Sequence, residues 1–236
     1  MKNLSYNIGC FVCGSELIYL NKYSKLECYY CKNVFESNVA CSKGHYICDS
    51  CHSISANELI LQYCIQSNQT DPIELAIILM RHKSINMHGP EHHFLVPAVL
   101  LTAYYNMKND PVKKKEKLIV AEKRAKNVLG GFCGFYGCCG AAVGTGIFMS
   151  LMTEATPLSK DEWQSSNMLT ANTLQSIAKA GGPRCCKRDT FIALLETIKY
   201  LKEYFHITMN HNSECKCEFS DFNKQCLNNN CKFYNK

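Results

Sequence analysis

No apolar run in this 236-residue chain reaches the roughly 20 residues that a membrane-spanning helix needs. The stretch HFLVPAVLLTAYY falls short of it. The N-terminal segment MKNLSYNIGC has no apolar leader region. From residue 55 to 207 there are no β-branched runs of strand length. These absences argue against a membrane partner and against a central parallel sheet, and the expectation is a cytoplasmic chain. In a reducing compartment its 17 cysteines are metal ligands or redox groups rather than a disulfide framework. The abundance of Lys, Asn, Ile and Tyr fits an AT-rich genome, and so many thiols suit an anaerobe.

Hydrophobic residues make up 47% of the chain, which is ordinary for a protein with a real core. The formal net charge of +6 is not a nucleic-acid footprint. Metal ligation deprotonates cysteine, so thiolate sites offset most of that excess. The densest basic run, VKKKEKLIVAEKRAKNVL, places Leu118, Ala121, Ala125, Val128 and Leu129 at helical spacing. It reads as a helix with its lysines in water.

Residues 1–54 are read as a β-type zinc-ribbon module. Cys10-x-x-Cys13 and Cys28-x-x-Cys31 bracket the stretches ELIYL and LECYY, joined by a turn at NKYSK. Each knuckle offers two thiolates at the angle a tetrahedral ion requires. The following ACSKGHYICDSCH supplies Cys41, His45, Cys48 and Cys51 as a second set, with His52 as a substitute for His45. Sequential pairing, one set per ion, is the favoured arrangement. GHYICDSC resembles half of a cross-brace zinc module such as a RING domain, but the order of ligand pairs differs and no ubiquitin-ligase role carries over.

Residues 55–207 are read as a helical domain. Ser55 to Glu58 and Ser159 to Glu162 have the form of capping boxes. Asp71-Pro72 and Asp110-Pro111 place a capping carboxylate before a proline suited to the first helical position. Phe191, Leu194, Leu195, Ile198, Leu201 and Phe205 form one apolar stripe. The segment 95–107 is apolar nearly all round, as a buried helix would be. Cys64 reads as a core thiol. Residues 208–236 form a C-terminal cysteine-rich knuckle, with Cys215, Cys217, Cys226 and Cys231 as a third metal set.

Three glycine-containing loops in the helical domain carry the remaining chemistry. MHGPEHHFLVP holds His88, Glu91, His92 and His93. GGFCGFYGCCG holds Cys133, Cys138 and Cys139. AGGPRCCKRDT holds Cys185 and Cys186. Each runs into a helix, whose N-terminal end favours thiolates and anions. If the loops converge, Cys133, one of Cys138 and Cys139, and one of Cys185 and Cys186 supply thiolates for a soft metal or an iron–sulfur cluster. The other vicinal cysteine, His88 or His92 completes the set. Glu91 and the histidines are the proton-transfer candidates. Arg184 and Lys187 are placed to lower a thiol pKa or hold an anionic substrate. Ala141, Gly144 and Thr145 let a neighbouring helix approach closely.

Some patterns do not fit. HGPEH matches the inverted zinc-protease motif, but Gly89-Pro90 interrupts the helix that motif needs. GAAVGTGIF lacks the strand that precedes a dinucleotide loop. The vicinal pairs resemble those of heterodisulfide-reductase-like domains, although the later Cys-x-x-Cys is missing. The plain alternative is that these pairs are buried thiols in tight packing.

Residues 41–236 resemble a family of cysteine-rich proteins of unknown function from anaerobic archaea and bacteria. GHYICDSCH, MHGPEHHFLVPAVLL, GFCGFYGCCGAAVGTGIF, ATPLS and GGPRCCKRDT carry the resemblance. Members are often labelled methyltransferases, but no motif here supports adenosylmethionine binding on a Rossmann sheet. The resemblance implies that the three loops form one unit. The functional expectation is a metal-dependent enzyme with zinc and an iron–sulfur cluster, transferring sulfur, thiol groups or electrons on a small-molecule or thiol substrate. One alternative is a zinc-ribbon module that binds nucleic acid or a protein partner. Another is a methyltransferase acting on a thiol.

Overall fold

The computed structural model describes residues 10, 12–13, 15–48, 51, 55–211 and 215–235. The chain is mainly α, as the periodicity predicts, with a two-stranded sheet in the N-terminal module. β1 (Leu17–Glu27) and β2 (Val34–Cys41) pair antiparallel, with Leu17 opposite Cys41 and Glu27 opposite Val34. The expected turn at NKYSK is not there. That stretch belongs to β1, where the register shifts between Tyr19 and Ser24. An irregularity of this kind absorbs extra residues without ending a strand. The chain reverses instead at the second knuckle, where Lys32 adopts a positive φ of 58° and its amide donates to the Cys28 carbonyl at 2.9 Å.

The helical region begins at α1 (Ala56–Gln66), where Ser55 Oγ accepts from the Glu58 amide at 3.4 Å. α2 (Pro72–Met80) and α4 (Pro111–Ala125) open on their Asp-Pro pairs. The Asp71 carboxylate accepts from the amides of Ile73 and Glu74, and that of Asp110 from Lys113. The second expected capping box does not form. α7 (Asp161–Lys179) follows Lys160, which makes no side-chain cap bond, and Ser159 Oγ accepts from the Thr156 amide at 3.0 Å. A short loop offers serine a local backbone donor, which competes with capping.

α3 (Glu91–Met107) is the central element and is buried on nearly every face. It packs against α1, α2 and α4, and against α6 (Gly140–Thr153) and α8 (Cys186–Phe205). Pro97 lies inside α3 and has no N–H to give the carbonyl of His93. α6 closes on that spot. A Cβ at Gly144 would stand 2.9 Å from Pro97 Cδ and 3.1 Å from the His93 oxygen, so glycine there permits the close approach. The α8 stripe is buried at Phe191, Leu194, Ile198 and Leu201. α4 buries Leu118, Ala121 and Ala125 but ends there, which leaves Leu129 exposed rather than in the stripe. One lysine of the basic run is not in water. Lys114 is buried, and its Nζ donates to Ser67 O and Asn106 Oδ1, both at 2.8 Å.

Both terminal modules dock on this domain. Tyr30, in the second knuckle, packs edge-on against Tyr63 and His82, and the His82 ring reaches the Cys51 carbonyl at 3.1 Å. The C-terminal segment is pinned by Arg81 Nε on Glu218 Oε2 at 2.7 Å and by the Phe191–Phe233 ring pair. Cys64 is a fully buried core thiol, as expected.

Candidate metal centres and the cysteine loops

Two groups in the N-terminal module can hold a metal ion: Cys10, Cys13, Cys41 and His45, and Cys28, Cys31, Cys48 and Cys51. Within each group the ligand atoms lie within 4.8 Å of one another. Cys13 and Cys41 sulfurs are 3.4 Å apart, Cys10 Sγ and His45 Nδ1 3.8 Å, and Cys31 and Cys48 sulfurs 3.8 Å. A tetrahedral ion with metal–sulfur bonds of about 2.3 Å sets its sulfurs roughly 3.8 Å apart, so each group fits one ion. The expectation of sequential pairing is overturned, because the knuckles alternate. Pairing of Leu17 with Cys41 in the hairpin returns the end of β2 to the first knuckle. The next segment then bridges Tyr46 to Cys28, which delivers Cys48 and Cys51 to the second knuckle. His52, the substitute for His45, lies outside the described residues.

In the helical domain the three loops meet at the start of α8. Cys139 is the residue before α6, and Cys185 the residue before α8. The Cys139 sulfur lies 3.9 Å from Asp189 Oδ2. Asp189 is buried and held by Arg188 Nε at 3.0 Å. Cys186 feels the charges of Asp189, Cys185 and Cys133, and its sulfur faces the Gly89 amide. The first loop touches the second where Gly140 seats on the His93 ring. A Cβ at Gly140 would stand 2.0 Å from His93 Cδ2. Cys133 and Cys138 are half-buried.

Several of the expected site residues have well-defined partners in the fold. His92 is buried with Nδ1 on Thr190 Oγ1 at 3.0 Å and Nε2 on Asn86 O at 3.1 Å. Burial, reinforced by the nearby Lys187 charge, pushes its pKa down to about 3, so the ring is neutral. Glu91 Oε1 accepts from the Asn86 amide at 2.7 Å and ties the loop to the start of α3. His88 Nε2 donates to Asn223 Oδ1 at 3.2 Å, while its Nδ1 is buried without a partner. Lys187 is buried and held by backbone carbonyls. Its Nζ donates to the carbonyls of Met80 at 3.1 Å and Ile85 at 3.4 Å. Desolvation dominates at the vicinal pair, raising Cys185 and raising Cys186 to about 11. Burial, with the Asp189 charge added, raises Cys139 to about 12. Without a metal these are neutral thiols. Arg184 is exposed.

The C-terminal set is also rearranged. Cys217, Cys226 and Cys231 line one cleft with Cys185, and Cys215 is not part of its wall. Cys185 lies with them because the segment folds back onto the start of α8. Sequence reasoning missed Arg188, Asp189 and Asn223. The first two carried a signal, since charged residues occupy the turn that leads directly into the apolar stripe at Phe191. Asn223 carried none.

No helix among the described residues is long and apolar enough to cross a membrane. The paired strands among them are antiparallel, so no Rossmann-type sheet is present there to hold adenosylmethionine. No curated protein and no solved structure matches the chain. A family of unknown function, DUF5714, matches residues 60–234. The match takes in all three glycine-containing loops and the C-terminal cysteines, and leaves out GHYICDSCH and the rest of the N-terminal module. With about three quarters of its length matched, the chain belongs to this family of unknown function, DUF5714.

Proposed function

We propose that the protein is a metal-dependent transferase or oxidoreductase that moves sulfur, thiol groups or electrons. Its working thiols lie where loops 130–140 and 181–189 meet. The observation that carries this reading is the Cys139–Asp189 approach at 3.9 Å, made across 50 residues of sequence. The Cys139 thiol donates toward this buried carboxylate, which orients the sulfur while its charge disfavours the thiolate, so a bound metal ion would be what draws the proton off for transfer or ligation. Cys138 and Cys186 are the neighbouring thiols that would complete a redox pair or a ligand set. The substrate class is a small molecule or a thiol. The matched family segment contains this whole constellation.

The two N-terminal groups are read as zinc sites. Four ligands each, rich in thiolate and with no open position, are the donor set of a structural tetrahedral ion. Zinc there stabilises a small module that has little core of its own. Closed ligand sets outside the family match also favour a second reading, a module that binds nucleic acid or a protein partner.

Anaerobically purified full-length protein, incubated with glutathione disulfide and mapped by mass spectrometry, tests the first reading. Mixed disulfides are expected at residues 138, 139 or 186, and Cys139→Ser should reduce exchange at least tenfold while leaving N-terminal metal content unchanged. Complete inertness of these thiols, with no metal bound by them, would overturn it. The binding-module reading would then lead.

A further inference from the structure

The C-terminal segment closes a cleft against the start of α8. Cys217, Cys226 and Cys231 reach the cleft from the segment, and Cys185 from the position before α8. The space between the walls is narrow and opens to solvent on one side.

Three of the four sulfurs already accept N–H groups. The Phe219 amide points at Cys217 Sγ at 3.4 Å, the Asn228 amide at Cys226 Sγ at 3.4 Å, and Asn223 Nδ2 at Cys185 Sγ at 3.5 Å. The same residue-to-second-neighbour bond occurs in the N-terminal metal groups, from Val12 to Cys10 and from Lys43 to Cys41. Amide donors aimed at sulfur stabilise thiolate charge and orient metal ligands.

Arg188 lines the same cleft and is only 5% exposed. Its Nε is held by Asp189 at 3.0 Å and its Nη2 by the Pro183 carbonyl at 3.3 Å. Its Nη1 is buried with no partner. A buried guanidinium donor left unpaired is costly, and an anion in the cleft would satisfy it.

Spacing selects the kind of anion. Among the described residues, the only groups with three or more ligand atoms within 4.8 Å are the two in the N-terminal module. No three of the cleft cysteines meet that limit, so as they stand they do not form the ligand set of a single tetrahedral ion. A cubane cluster spreads its thiolates to about 6 to 7 Å.

We propose that Cys185, Cys217, Cys226 and Cys231 bind a four-iron, four-sulfur cluster in this cleft, with Arg188 Nη1 donating to one of its sulfurs. Four protein thiolates leave no open iron position, so the cluster suits electron transfer rather than substrate binding. Because Cys185 adjoins Cys186, the cluster sits next to the thiols of the proposed site. The assignment of the cluster stands on the cleft alone; its role as electron donor or acceptor rests on the proposed function.

The test is anaerobic reconstitution of the full-length chain with ferrous iron and sulfide. It is read by iron and acid-labile sulfide content, visible charge-transfer absorption and the paramagnetic signal after dithionite reduction. Wild type should take up about four irons per chain. Cys226→Ser and Cys185→Ser should each lose most of the chromophore, while Cys215→Ser and Cys139→Ser retain it. Arg188→Gln should keep the cluster and make its reduction potential more negative, since a positive charge and a hydrogen bond are lost. A chromophore that survives Cys185→Ser with Cys226→Ser, or that follows Cys133 and Cys139 instead, overturns the proposal. So does a chain that binds only zinc at these thiols. None of these results alters glutathione exchange at residue 139, so the two readings can fail separately.

Discussion

The sulfurs of Cys13 and Cys41 lie 3.4 Å apart, although 28 positions separate them in the chain. No local turn can make that contact. It comes from the hairpin, which runs out along β1 and back along β2 to set Cys41 beside the first knuckle. The consequence is an interlocked module, in which one ligand group joins the segment before β1, and the other the turn itself, to the end of β2 and the segment beyond it.

Alternating pairing makes a distinct prediction for zinc content. Changing Cys10, Cys13, Cys28 and Cys31 together to Ser should abolish metal binding at both N-terminal groups, because each group loses two ligands. Cys10→Ser with Cys13→Ser should abolish it at one. Metal analysis of the quadruple variant that still found one tightly bound zinc would restore sequential pairing.

Chelation should act locally. The N-terminal module has two strands and few buried residues besides its ligands, so its folding free energy is largely metal binding. Removing metal should abolish amide protection over residues 15–48, while most of the helical circular dichroism persists. Loss of helical signal in parallel with zinc release would show that the module holds the helical domain together.

Gly140→Ala should be destabilising despite the usual gain from replacing glycine in a helix. The gain is about 0.5 to 1 kcal/mol. Against it, the new Cβ would meet the His93 ring at 2.0 Å, and that ring is held by the Val128 carbonyl at 2.8 Å. Displacing a packed ring costs about 1 to 3 kcal/mol. A lower melting temperature is expected, and an unchanged or raised one would show that the α3–α6 contact is looser than described.

Two polar contacts should differ in weight. Lys114 is 2% exposed and satisfies two buried oxygens. Lys114→Ala strands the Asn106 oxygen, since Ser67 O keeps the Asn106 Nδ2 donor at 3.0 Å, at roughly 1 to 3 kcal/mol. The Arg81–Glu218 pair is partly exposed, and Glu218→Ala should cost at most about 1 kcal/mol. Denaturant titration of the two variants checks the ranking.

His92 gives a pH dependence of definite sign. Its folded pKa of about 3 lies below its ordinary value of 6.5. Between those values the unfolded chain binds one more proton than the folded one. The stability due to the neutral ring is complete above about pH 6.5 and is lost as pH falls, by about 1.4 kcal/mol per unit. Nitrogen NMR should show His92 neutral from pH 7.5 down to 5.5. A ring that protonates near 6.5 in the folded protein would remove this contribution.

The amino-acid sequence determined whatever depends on near neighbours. Cys-x-x-Cys spacing marked the knuckles, and Ser55, Asp71 and Asp110 announced their helices, because an i to i+3 relation is enough for a bidentate knuckle or a cap. The 3.6-residue period of Phe191, Leu194, Ile198 and Leu201 likewise fixed which face of α8 is buried. The same local logic failed at Ser159, where a nearer donor was on offer. It also misplaced the hairpin turn, because a polar run can serve as a loop or as an exposed strand. Only the tertiary structure decided which knuckles share an ion, and that Cys185 rather than Cys215 completes the C-terminal cleft. It also set the His92 ring on Thr190, and brought Asp189 to Cys139. Those outcomes depend on chain segments 20 to 50 or more residues apart meeting in space, and spacing along a chain carries no information about which distant partner a thiol will find.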